Sequence, residues 1–155
     1  MKKFLPYIAI ISSAAFVGNM INIGLSYCVH WQSLDPIIFM ETFKVDFPLL
    51  LAPTTVTLMP AFLASLSLFF ITNDNKKAKR YYLFAFVALL LTIIQTAVYN
   101  LPMNINFMEM KYSATEASSK LQGWVFFHWL RIGVAIVATV FTILGFKQSN
   151  LSLYK

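Results

Sequence analysis

Four stretches of this sequence, residues 4–29, 48–72, 81–101 and 123–146, are long and apolar enough to cross a bilayer. A hydrocarbon core about 30 Å thick needs about 20 apolar helical residues. Lipid offers no partner for an open backbone, so a spanning segment must satisfy its own hydrogen bonds. Charged residues make up only 12% of the chain, about half the share found in soluble domains. The expected fold is all-α: an integral-membrane four-helix bundle forming one transmembrane domain over residues 1–155. Short interfacial helices are expected in its two larger connectors, 30–47 and 102–122.

Local signals refine each segment. The first run follows Lys2 and Lys3 and resembles a signal peptide at its start. It continues past any cleavage site near Ser13–Ala15, so it is expected to remain as an uncleaved helix. Ser12, Asn19, Asn22 and Ser26 fall near one face of it, a stripe suited to a helix contact or a pocket wall. Asp35-Pro36 is a helix start, with the acid at the cap and proline at the first turn. Ile37, Ile38, Met40, Phe43 and Phe47 would form the buried side of a short helix after it, and Trp31 suits a headgroup-level anchor. Pro48, Pro53 and Pro60 punctuate the second run. A kink is expected there, with Thr54, Thr55 and Thr57 available to the carbonyls that proline frees. Pro102 disfavours helix at Leu101 and is expected to end the third span.

The net charge of +6 is clustered. Lys76, Lys77, Lys79 and Arg80 share one loop, Lys2 and Lys3 open the chain, and Lys147 and Lys155 close it. This is the pattern that orients membrane helices, and it is not read as a nucleic-acid footprint. Both termini and the 73–80 loop are expected in the cytoplasm, in a bacterial inner membrane. The expected partners are the lipid bilayer and a small hydrophobic ligand; the sequence leaves oligomeric state open. Cys28 is the one cysteine, which excludes an intrachain disulfide and a CxxC redox pair. That argues against thiol-oxidoreductase and claudin-like classes, and Cys28 is expected as an apolar filler.

The polar residues of the spans converge at one level. Gln95, Tyr99 and Asn100 lie at the outer end of the third run, Thr54 and Thr57 in the outer half of the second, and Asn19 and Asn22 at mid-depth and above in the first. Trp124, His128 and Arg131 follow at i, i+4 and i+7 in the fourth, so a helix puts them on one face. Arg131 lies about nine residues into its run, about 13 Å along a helix. A guanidinium at that depth costs about 2.5–3.5 kcal/mol on insertion scales, so it is expected to serve function or to pair with an acid such as Glu41 or Glu109. A pocket in the outer half of the bundle is expected, as in other bundles. Its metal candidates are His128, His30 and Glu41. Two histidines and a carboxylate suit non-haem iron, and His128 could ligate a haem, but no HxxxH, HxxE or ExxH spacing supports either. Whether the cofactor is none, a haem or a non-haem metal stays open.

Asn100-Leu-Pro102-Met-Asn104, then Trp124, then His128-Trp-Leu-Arg131, resembles the signature of the anthrone oxygenase-like integral-membrane family. The resemblance extends to the span layout over nearly the whole chain. It implies a four-span fold and, for members in polyketide pathways, oxidation of an anthrone to an anthraquinone by oxygen. On that reading Arg131 holds an oxyanion or phenolate, His128 transfers a proton, and Asn100, Asn104 and Gln95 orient the substrate, with Asn19, Asn22, Tyr99 and Trp124 around it. A non-catalytic carrier of lipid, quinone or haem, or a structural membrane subunit, would use the same residues for binding or contact.

Overall fold

The computed structural model describes residues 4–151. Lys2, Lys3 and Lys155, which entered the orientation argument, lie outside the described residues. Six α-helices run in order: α1 (Leu5–Asn22), α2 (Cys28–Ser33), α3 (Pro36–Ile71), α4 (Lys76–Gln95), α5 (Leu101–Met108) and α6 (Ala114–Leu151). Wide π-helical turns, Ile23–Tyr27 and Thr96–Asn100, weld α1 to α2 and α4 to α5. The result is four rods, each long and apolar enough to cross a membrane: Leu5–Ser33, Pro36–Ile71, Lys76–Met108 and Ala114–Asn150. They run up and down as a closed four-helix bundle. The first rod packs on α3, α3 on α4, α4 on α6, and α6 back on α1. The chain is an integral membrane protein.

Side-chain caps set the rod starts. Asp35 accepts from the Ile37 amide at 2.9 Å with Pro36 behind it, as its sequence implied. Asn75 accepts from the Ala78 amide at 3.0 Å. Ser113 and Glu116 form a reciprocal capping box ahead of α6: the Glu116 carboxylate takes the Ser113 amide at 3.0 Å and the Ser113 hydroxyl takes the Glu116 amide at 3.4 Å.

The helical pieces expected in the connectors are present, but as continuations of the spans. Only Leu34 and Asp35 separate the first two rods. Beyond the membrane-length portion, Trp31, Phe39, Met40, Phe43 and Phe107 are all at most 1% exposed. This aromatic core gives the projecting helix ends something to pack on, while Glu41 and Lys44 face outward. Trp31 is therefore a core residue, held by a 2.9 Å bond from its indole N–H to Asp46, rather than a headgroup anchor. Helix also runs straight through Pro102. The wide turn just before it relieves the ring's clash with the preceding helical turn. Thr57 bonds the carbonyls of Pro53 and Thr54. Those are not the carbonyls that the prolines free, which lie four residues before each ring at Lys44, Leu49 and Val56.

Both π turns have the same geometric effect. Thr92, Thr96, Asn100 and Asn104 recur at steps of four. In a regular helix each such step overshoots a full turn by about 40°, so three steps drift by about 120°. One extra residue in a π turn takes back about 100°. Thr92, Asn100 and Asn104 are accordingly all buried. Phe16, Met20, Gly24 and Cys28 stay on one buried face of the first rod by the same device.

Candidate functional site

Arg131 is 6% exposed, inside the bundle. Its Nη2 donates to Nδ1 of His128 at 2.7 Å and its Nη1 donates to the Thr96 hydroxyl at 3.1 Å. Its Nε has no partner. On the other side of the imidazole, Nε2 lies 2.9 Å from the Met20 carbonyl. A carbonyl only accepts, so Nε2 carries the proton and Nδ1 is the acceptor for Arg131. The ring is further clamped by Trp124, which stacks on it at 5.1 Å with 7° between the planes. Trp124 in turn donates its indole N–H to Asn104 at 2.6 Å. Residues of the first, third and fourth rods thus lock one guanidinium in place.

No carboxylate joins this set. Among the described residues the one ion pair is Glu109 with Lys111, and Glu41 is exposed. The expected acidic partner of Arg131 is not supplied by either residue. The cation instead faces a cavity of about 80 Å³. Thr54, Thr96, Asn104, Trp124 and Arg131 supply its polar lining. Met20, Ile23, Phe47 and Leu50 make it otherwise apolar, and Leu51 and Leu101 stand at its edge. Such a chamber is small: a water's share of liquid volume is about 30 Å³.

The other residues singled out from the sequence have definite places. Asn100 is fully buried, with neither amide atom partnered. Gln95 ties α4 to α6 through a 2.8 Å bond to the Phe127 carbonyl, and Tyr99 packs on the Phe127 ring at 4.0 Å. Asn19 donates to Thr54 at 3.0 Å, a bond between rods. Asn22 is exposed and accepts from Ser26; three residues on from Asn19, it has turned off the buried face. His30 and Glu41 are exposed as well, and His30 borders a separate shallow groove with Tyr27 and Asp46. They do not meet His128, and among the described residues no three His, Cys, Asp or Glu side chains gather as a metal site. Both nitrogens of His128 are engaged, which leaves neither for a haem iron. Cys28 is a buried free cysteine in the core.

Two contributors are not among the residues singled out from the sequence. Thr96 has as its one signal that it lies one step of four before Asn100. The Met20 carbonyl carries no side-chain signal at all.

Fold and site together define a four-span membrane protein with a braced, unpaired cation at an internal cavity. A family model described as Anthrone oxygenase matches residues 39–141. The chain belongs to the anthrone oxygenase family, for which oxygenase-like function is indicated. No curated protein and no solved structure matches it.

Proposed function

We propose that the chain is a membrane-embedded oxygenase for a small aromatic ketone or phenol of the anthrone type, with Arg131 binding the substrate oxygen as an anion. The observation that carries this reading is the buried guanidinium that faces a cavity and lacks a carboxylate. A cation fixed in a low-dielectric site stabilises developing negative charge without reorganising. An anthrone has a ring CH2 opposite its carbonyl. Loss of one CH2 proton to water puts negative charge on the carbonyl oxygen, and that oxygen is the group that fits Arg131. Dioxygen is the oxidant: CH2 and O2 become a ring carbonyl and water, which balances atoms and electrons. The Asn104 amide N–H can donate beside the cation, whereas the Thr96 hydroxyl already donates to the Thr92 carbonyl at 2.8 Å and accepts from Arg131. His128 is off the cavity wall, so on this reading it positions Arg131, and the proton-transfer role expected of it falls away. Lys76, Lys77, Lys79 and Arg80, expected in a loop, open α4; their positive charge supports an orientation with that end of the bundle on the cytoplasmic side of a bacterial inner membrane, and a reporter fused after Lys155 tests it.

The test is oxygen uptake and quinone absorbance on addition of anthrone to proteoliposomes. Wild type should consume one O2 per quinone formed, above the empty-vesicle rate. Arg131→Gln should fall to background, and Arg131→Lys should retain little, since ammonium cannot brace two partners while presenting a planar fork. Anthrone bound and recovered unchanged, with no oxygen used, would overturn the oxygenase in favour of a carrier.

A further inference from the structure

The cavity at Arg131 has its opening on the flank of the bundle. Met20, Ile23, Leu50, Asn104, Trp124 and Arg131 are each less than 9% exposed. Leu51 and Leu101 are 46% and 43% exposed, and among the described residues lining the cavity no others are exposed. The opening therefore lies between them, where α3 passes the α4–α5 rod. Val98 and Ile105 are exposed beside Leu101, and Pro48 and Thr55, one turn to either side of Leu51 on the same face of α3, are exposed as well. Both leucines belong to rods of membrane-spanning length. An opening framed by these uncharged residues on membrane-length rods faces hydrocarbon.

Both jambs of this opening are weakened helix. On α3, Pro48 and Pro53 bracket Leu51, and each removes one backbone hydrogen bond from the ladder. On the facing rod, Leu101 sits between the Thr96–Asn100 π turn and Pro102. Pockets for drug-sized ligands run from about 300 Å³ upward, so a chamber of about 80 Å³ must widen to take a ring system. Irregular turns are where a helix can bend at low cost.

We infer that Leu51 and Leu101 form a side door through which a flat aromatic ligand dissolved in the bilayer reaches Arg131, oxygen end first. This rests on the reading of Arg131 as the ligand's anchor and adds the route by which the ligand reaches it. The apolar jambs exclude a strongly hydrated molecule, and the cation at the far end selects an acidic hydroxyl or enol among lipophilic ones. Leu51 and Leu101 thus set specificity by size.

The test needs neither substrate nor turnover, so it can fail while the oxygenase reading stands, and the reverse. The chain has three tryptophans, of which Trp124 lines the cavity. The Trp31→Phe/Trp129→Phe protein leaves Trp124 as the sole indole emitter. In vesicles with acyl-brominated lipid, its fluorescence should be quenched, and adding Leu51→Phe/Leu101→Phe should reduce that quenching at least twofold. Aqueous iodide should not quench it. Quenching that the two phenylalanines leave unchanged, or access by iodide, would overturn the side door. Should loss of the Trp31–Asp46 bond prevent folding, Trp129→Phe alone supports the same comparison. Trp31 then adds a constant emission, and the fall in quenching should still be measurable, with no fall counting against the proposal.

Discussion

Arg131 and His128 are bonded to each other one helical turn apart, Nη2 to Nδ1 at 2.7 Å, and the far side of the imidazole is bonded to the Met20 carbonyl of another rod. The histidine is therefore a strut between a backbone carbonyl and a buried cation. His128→Leu removes both bonds and leaves the cation with one partner. Hydrogen bonds to charged groups contribute about 1.5–3 kcal/mol, so the melting temperature in detergent should fall by roughly 5 °C. An unchanged melting curve would show that the strut is not made.

The damage in that variant comes from stranding the guanidinium. Removing the guanidinium as well should repair part of it, because replacing a buried charged pair by apolar side chains is often neutral or stabilising. His128→Leu/Arg131→Met should melt above His128→Leu alone, a positive coupling in a double-mutant cycle. A double variant that melts lower still would mean that Arg131 is compensated by a group outside this set.

Trp124→Phe keeps the stack on His128 but strands the Asn104 amide oxygen, which accepts the indole N–H at 2.6 Å. A buried acceptor left unpartnered costs about 1–3 kcal/mol. Trp124→Phe/Asn104→Leu should recover a good part of that loss in stability while leaving anthrone turnover low. Equal stability of wild type and Trp124→Phe in thermal scans would remove this bond from the account.

Deleting Ala97, an exposed residue inside the second π turn, converts that turn to regular helix. The surplus residue and its offset disappear together, so the eleven regular steps then left between Thr92 and Asn104 end about 20° past full turns, as the π turn does. The deletion should therefore retain turnover, whereas inserting one alanine after Ala97 adds about 100° and should abolish turnover and lower the melting temperature. Activity lost in the deletion but kept in the insertion would show that the turn does not set the register of the site.

Gly145 and Gly133 lie on the same helix in opposite circumstances. A Cβ on Gly145 would stand 2.7 Å from the buried Tyr82 ring, while one on Gly133 meets nothing within 4 Å. Overpacking of that kind costs about 1–3 kcal/mol, and alanine for glycine in an open helix position gains about 0.5–1 kcal/mol. Gly145→Ala should melt lower than wild type and Gly133→Ala slightly higher; the reverse order would contradict this packing.

The spans and the Trp124–His128–Arg131 face were legible because both follow from helical periodicity and hydropathy. The helical extensions were harder to read. In 36–47 the expected buried side holds for Met40 and Phe43, but Phe39 is buried with them while Ile37 and Ile38 are exposed, because residue type alone does not say which way an apolar side chain on a helix faces. Pro48 and Pro102 suggested boundaries that the structure crosses. The 20-residue link from Asn104 to Trp124 came only through the family signature, since nothing local announces a partner on another rod. The two π turns left no compositional mark. They show only as buried or half-buried residues recurring every four positions, Phe16 to Cys28 and Thr92 to Asn104, for longer than a regular helix could keep them in line. Glu41, Asn22 and His30 were drawn into the candidate set by residue type and level, which do not say which way a helix faces.

Those two underwound turns have a bearing on protein engineering. Copying Thr92, Thr96, Asn100 and Asn104 at their native spacing onto a straight helix would wind them about 120° around it, away from His128 and Arg131 on the neighbouring helix. A designer who wanted to transplant this chamber would have to carry over the backbone first, one surplus residue in each of two helices, and only then the side chains.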